Sequence, residues 1–159
     1  MKLFLKYWLP VLVWLGLIFI GSTDLMSAEH TSRIIGPILR WFNPGISGQT
    51  IMQVQFFVRK VGHVSEYAIL AMLLWRGLRR GTRWQMTMST LRLRSELVLF
   101  IAVSFLCAIF AASDEFHQSF VPTRTASPVD VVIDIIGALI GLTICVAVAR
   151  RKVVKEKHA

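Results

Sequence analysis

The alternation of apolar and polar stretches divides the chain into long hydrophobic runs separated by short polar breaks. Leu3 to Ile20 is apolar apart from Lys6, long enough to cross a hydrocarbon core of roughly 30 Å at about 1.5 Å per residue, with Tyr7 and Trp8 suited to an interfacial belt. Val129 to Ala149 is a second clean run, broken only by Asp130 and Asp134. Between them, Tyr67 to Trp75 and Leu97 to Ala112 are too short to span unless their helices continue into polar sequence. Extending the first back to Ile51 takes in Arg59, Lys60, His63 and Glu66. Extending the second forward to Phe120, before Pro122, takes in Asp114, Glu115, His117 and Gln118.

The pattern therefore predicts an all-α integral membrane protein with four transmembrane helices, at about 3–21, 51–75, 96–120 and 128–149. They form a single domain over residues 1–159, with a basic tail at 150–159. In the first outer loop, Ser32 to Phe42 carries Ile34, Ile35, Ile38, Leu39, Trp41 and Phe42. This stretch predicts a short interfacial helix, Pro37 within it and Arg33 and Arg40 reaching headgroups, and Asn43-Pro44-Gly45 marks a turn after it. The Lys-bearing start also suits a cleaved signal peptide, but no small-x-small site follows Ile20 at the expected distance, so the first span is read as retained.

Composition sharpens this picture. With 55% hydrophobic and 17% charged residues, the chain is too apolar for disorder, and two Cys are too few for a disulfide scaffold. Cys107 and Cys145 fall at depths about 10 Å or more apart by helical rise, so no disulfide is expected between them. The net charge of +9 suits either nucleic acid or a membrane surface, and its distribution decides between them. Lys2 and Lys6, Arg76, Arg79, Arg80, Arg83, Arg92 and Arg94, and Arg150, Arg151, Lys152, Lys155 and Lys157 are thirteen of the 18 basic residues, and only Glu96 and Glu156 oppose them. Basic residues beside spans stay cytoplasmic, so both termini are expected inside the cell, in the cytoplasmic membrane. Arg76 to Arg94 reads as a retention signal and lipid contact. Nucleic acid is unnecessary, and no recognition motif supports it.

The same topology puts the charges inside spans two, three and four at their extracytoplasmic ends. On the second span Arg59, His63 and Glu66 line one face with Tyr67 beside them, and Gly62 is positioned to admit a neighbouring helix. On the third, Asp114, His117 and Gln118 share a face, with Glu115 one step away. Their compensating cations are Arg59, Lys60 and Arg124, since acids near a helix C-terminus meet the negative end of its dipole. The fourth opens Ser127-Pro128-Val129-Asp130, which reads as N-cap, Pro at N1 and an acid at N3, a capping box. Asp134 lies one turn deeper, and an ionisable group in the apolar layer is a functional candidate. Gly137 and Gly141 extend its stripe as a G-x-x-x-G that should face the bundle.

Three motifs in order, Arg59-Lys60-Val61-Gly62-His63-Val64-Ser65-Glu66-Tyr67, then Ser113-Asp114-Glu115-Phe116-His117-Gln118-Ser119-Phe120-Val121-Pro122 with Arg124, then Asp130, Asp134 and the Gly137–Gly141 stripe, resemble the VanZ-like family of small bacterial membrane proteins. The specific part runs from Arg59 to Gly141, about half the chain, and Thr123 stands where members often carry Gly. The resemblance implies an integral membrane protein related to one associated with low-level teicoplanin resistance, an antibiotic-resistance role in the cell envelope. Some members are labelled phosphotransbutyrylases, but this sequence shows no soluble acyl-transfer fold.

Four readings of the charged layer stay open. As an enzyme, His63, Glu66, Asp114, His117 and Asp134 would supply acid–base catalysis, with Arg59, Lys60, Tyr67, Glu115, Gln118, Arg124 and Asp130 binding a lipid-linked or peptidoglycan-related substrate. As a scaffold, the same charges would pair to hold the helices in register, an inefficient use of ions that are costly to desolvate. As a metal site, His-x-x-Glu, Asp-Glu-x-His and Asp-x-x-x-Asp offer ligands for zinc or manganese without a known signature, and a divalent metal is not the favoured reading. The fourth reading is a receptor for a headgroup or glycopeptide, or a proton-coupled transporter with Glu66 or Asp134 titrating; four spans are few for a monomeric transporter, which would need a homodimer.

Overall fold

The computed structural model describes residues 2–23, 28–81, 89–122, 124 and 126–157. These form five helices: α1 (Lys2–Gly21), α2 (Ala28–Phe42), α3 (Gly48–Gly81), α4 (Ser89–Gln118) and α5 (Pro128–Lys157). No strand occurs among the described residues. Arg83 and Thr123, both used above, lie outside them.

Local chemistry sets the helix ends. The predicted turn after α2 is present: Asn43 Oδ1 accepts from the Gly45 amide at 3.1 Å. Ser47 then caps α3, its Oγ accepting from Thr50 N at 3.1 Å. Ser127 caps α5 by accepting from Val129 N at 3.3 Å, with Pro128 in the first turn, where a missing N–H costs nothing.

Three helices run further than their apolar runs alone indicate. α3 continues past Arg76, Arg79 and Arg80, α4 begins at Ser89, and α5 carries the expected tail as helix to Lys157. Long basic side chains are good helix formers, and no Pro interrupts these stretches. α2 also begins four residues before the predicted Ser32 and runs through Pro37.

Among the described residues, three helices are long and apolar enough to cross a membrane, over Phe4–Gly21, Ser95–Gln118 and Pro128–Arg151. α3 is not among them, because its polar residues are interleaved with its apolar ones. It is instead the helix that the others surround, packing most extensively on α5 and also on α1, α4 and α2. A sheath of exposed apolar side chains, such as Leu12 and Leu17 of α1, Ile101 and Phe105 of α4 and Ile136 and Ile144 of α5, covers the outside.

α3 and α5 run parallel, and their closest approach is at the predicted stripe. A Cβ on Gly137 would come within 2.9 Å of Val64 Cα, and one on Gly141 within 2.9 Å of the Ala68 carbonyl carbon. Only glycine lets the two backbones touch there. Gly62 does not play the packing role expected of it, since a Cβ there would meet nothing within 4 Å. As His63's neighbour in sequence it is turned about 100° around the helix, and when His63 faces inward Gly62 faces out.

The buried residues form stripes spaced mostly by four. On α4 they are Leu99, Val103, Cys107 and Ala111, on α5 Ala138 and Leu142, and on α3 Tyr67, Ala71 and Trp75 with Leu70 and Leu74. Cys107 and Cys145 are free thiols, as expected.

Candidate functional site

Each buried stripe, followed to the same end of the bundle, reaches an ionisable residue. The α3 stripe reaches His63, the α4 stripe Glu115, and the α5 stripe Asp134 and then Asp130, all four buried. The apolar spacing that packs the helices thus also aims these groups inward. Ligand-type atoms of His63, Glu115 and Asp134, one from each helix, lie within 4.8 Å of one another. His63 Nδ1 is 3.0 Å from Asp134 Oδ1. Among the described residues, Asp134 Oδ2 and Glu115 Oε1 are buried without a hydrogen-bond partner.

Asp130 sits beside this triad and is fully engaged. It pairs with Lys60 and with Arg59 at 3.5 Å, and Lys60 also lies over the Phe56 ring. It does not complete the predicted capping box. The Ser127 amide instead donates to Glu115 Oε2 at 2.8 Å, so the reciprocal acceptor comes from α4, leaving Asp130 to take the two cations.

A second polar group joins α1 to α4. Ser22 Oγ donates to Asp114 Oδ1, and Gln118 Nε2 donates to Asp114 Oδ2 at 3.1 Å. His117 packs its ring on Phe19 with centroids 4.6 Å apart, its Nδ1 buried and without a partner among the described residues. Asp114, His117 and Gln118 therefore share a face, as predicted, but it is the one turned to α1. Glu66 lies between the two groups. Its carboxylate is near the end of α1, where a Cβ on Gly21 would meet Oε1 at 3.9 Å, and its backbone carbonyl accepts from Trp14 Nε1 at 2.9 Å.

Arg124 donates to the carbonyl of Gly21 and to that of Thr23, so its charge meets the negative end of the α1 dipole. Tyr67, one turn beyond His63, has its hydroxyl buried without a partner among the described residues.

The structure thus brings His63, Glu115 and Asp134 into one cluster, with Arg59, Lys60 and Asp130 flanking it. Asp114, Gln118 and His117 form a neighbouring group against α1. Reasoning from the Asp114 face placed Glu115 to one side. The fourfold repeat of Leu99, Val103, Cys107 and Ala111 was the available signal that Glu115 faces inward. Ser22, one residue past the first span, stands at the depth of the charges and pairs with Asp114, a role that its place outside the span does not signal. Basic residues gather at the other end of the bundle, where Arg76 donates to the Lys6 carbonyl at 3.2 Å and Arg79 lies 3.5 Å from Glu96.

In comparisons with known proteins, the model of the VanZ/LLP1 family matches residues 7–150. No curated protein and no solved structure matches the chain. The match covers α3 and α4 entirely, most of α1 and α5 and every residue of the cluster, and the chain belongs to the VanZ-like family.

Proposed function

We propose that this chain is a four-span protein of the cytoplasmic membrane, both termini inside, whose clustered polar groups open to the extracytoplasmic face and take a lipid-linked or peptidoglycan-related envelope substrate. α3 is the fourth span. It tolerates charge because His63 is buried and Arg59, Lys60 and Glu66 are half-buried against its neighbours, the arrangement intramembrane ionisable residues usually adopt. The separation of the polar cluster from the basic end supports the orientation. α2 lies on the outer membrane surface, with Ile34, Ile38, Trp41 and Phe42 exposed along one side.

The observation that carries the substrate site is the set of buried atoms without partners among the described residues: Glu115 Oε1, Asp134 Oδ2, Tyr67 Oη and Gln118 Oε1. Buried polar atoms are nearly always paired; Arg59 Nε, Ser104 Oγ and His117 Nδ1 also lack partners among the described residues, but Glu115 Oε1 and Asp134 Oδ2 are carboxylate oxygens of one cluster, where a scaffold of ion pairs would point a Lys or Arg. Asp130, with its two cations, is what such a scaffold looks like, and Glu115 and Asp134 differ from it. In this reading His63 and Asp134 act as an acid–base pair, Glu115 and Tyr67 contact the substrate, and lower teicoplanin susceptibility follows from the altered envelope.

The test compares a deletion strain carrying wild type, Glu115→Gln or Asp134→Asn at matched expression, reading envelope lipids, wall precursors and teicoplanin susceptibility. Wild type should change the precursor or lipid profile and both variants should resemble the deletion. Variants indistinguishable from wild type would refute the site.

A further inference from the structure

We propose that His63, Glu115 and Asp134 together bind one divalent first-row metal ion, with zinc as the reference ion. The three side chains come from three different helices, yet their ligand-type atoms fall within 4.8 Å of one another. Around zinc, with bonds of about 2.0–2.2 Å, tetrahedral ligands stand roughly 3.4 Å apart, so small side-chain rotations complete the site. All three residues are more than nine-tenths buried, and each carboxylate holds one oxygen without a partner among the described residues.

Charge argues the same way. Arg59 and Lys60 are directed to Asp130. Asp134 is paired with the His63 imidazole at 3.0 Å and Glu115 with the Ser127 amide, and two buried carboxylates sharing one imidazole call for more positive charge. A divalent ion neutralises both. One imidazole with two carboxylates suits zinc or manganese, whereas calcium and magnesium take oxygen alone and softer ions seek thiolate. The existing bonds serve as the outer shell such sites use: the Ser127 amide holds Glu115 Oε2 at 2.8 Å, fixing the carboxylate that ligates. Three protein ligands leave a coordination position for water or a substrate oxygen.

This inference rests on the same cluster as the substrate reading and deepens it: with an ion bound, His63, Glu115 and Asp134 serve as its ligands in place of the acid–base and contact roles given above, and the substrate meets the ion's open position; the two readings fail separately. The full chain is purified in detergent without chelator, equilibrated with zinc, desalted, and its metal measured by mass spectrometry. Wild type should hold about one zinc per chain. Glu115→Gln and Asp134→Asn should lower zinc affinity by at least about tenfold, since loss of even an outer-shell partner costs about 10–100-fold. His117→Ala, against α1, should keep the ion. Asp134→His, which restores a ligand atom, should regain it and so separates ligand loss from misfolding. Cobalt substitution should give visible d–d absorption in wild type that Glu115→Gln abolishes. Wild type without stoichiometric zinc, or zinc retained in both carboxamide variants, would overturn the proposal. A metal-free protein that still alters wall precursors would defeat this inference and leave the substrate site standing.

Discussion

Replacing Gly137 by Ala tests whether close contact between α3 and α5 holds the site together. The new methyl would lie 2.9 Å from Val64 Cα, whereas carbon atoms rest at about 3.5–4.0 Å. The helices must therefore part by at least about 0.6 Å, against backbone that cannot rotate away. Overpacking of this kind costs about 1–3 kcal/mol. Asp134 lies one turn from Gly137 on the same face, and its 3.0 Å approach to His63 Nδ1 would open to roughly 3.6 Å or more, too long for a hydrogen bond. Gly137→Ala should thus lose stability and also behave as Asp134→Asn in envelope assays, although every ionisable group is present. Gly62→Ala is the matched control. A Cβ there meets nothing within 4 Å, and exchanging Gly for Ala within a helix favours folding by up to about 1 kcal/mol. Reversible unfolding of both variants in mixed micelles, followed by circular dichroism, gives the comparison. A Gly137→Ala protein as stable as Gly62→Ala would refute the packing argument.

Two further changes probe the polar groups separately. Ser22→Ala removes the hydroxyl that donates to Asp114 and should cost about 1.5–3 kcal/mol, the range for hydrogen bonds to charged groups; the same unfolding assay should show most of that loss disappear when Asp114 is already Asn. Asp130→Asn leaves Arg59 and Lys60 without their shared carboxylate and should cost about 3 kcal/mol. Lys60→Met should cost less, because Asp130 retains Arg59, and equal losses would contradict the shared ion pair.

The helices and the site were legible in the sequence to different degrees. Apolar runs located α1, α4 and α5, and the Asp134–Gly137–Gly141 stripe identified the contact face of α5, because both features repeat along one helix. α3 needed its charges to be read as inward-facing, which hydropathy alone does not reveal. Glu115 stands off the face of Asp114, His117 and Gln118, as the spacing predicts, but only the apolar stripe beneath it shows that this turns it inward. The fate of Asp130 depended on a neighbouring helix: Ser127 looked as if it would draw its acceptor from its own first turn, but the amide faces α4, and Glu115 arrives there instead. Ser22 paired with Asp114, and Arg124 with the end of α1, are contacts between segments more than ninety residues apart, and no local pattern encodes them.

The central claim is that His63, Glu115 and Asp134, from three helices, act as one unit. Double-mutant cycles on unfolding free energy, combining Glu115→Gln with Asp134→Asn and each with His63→Gln, measure this without assuming a substrate. Coupling of at least about 0.5 kcal/mol in all three pairs is predicted, because residues in one network do not add. Additivity within about 0.3 kcal/mol would mean that the three groups are independent and that the site does not exist as a unit.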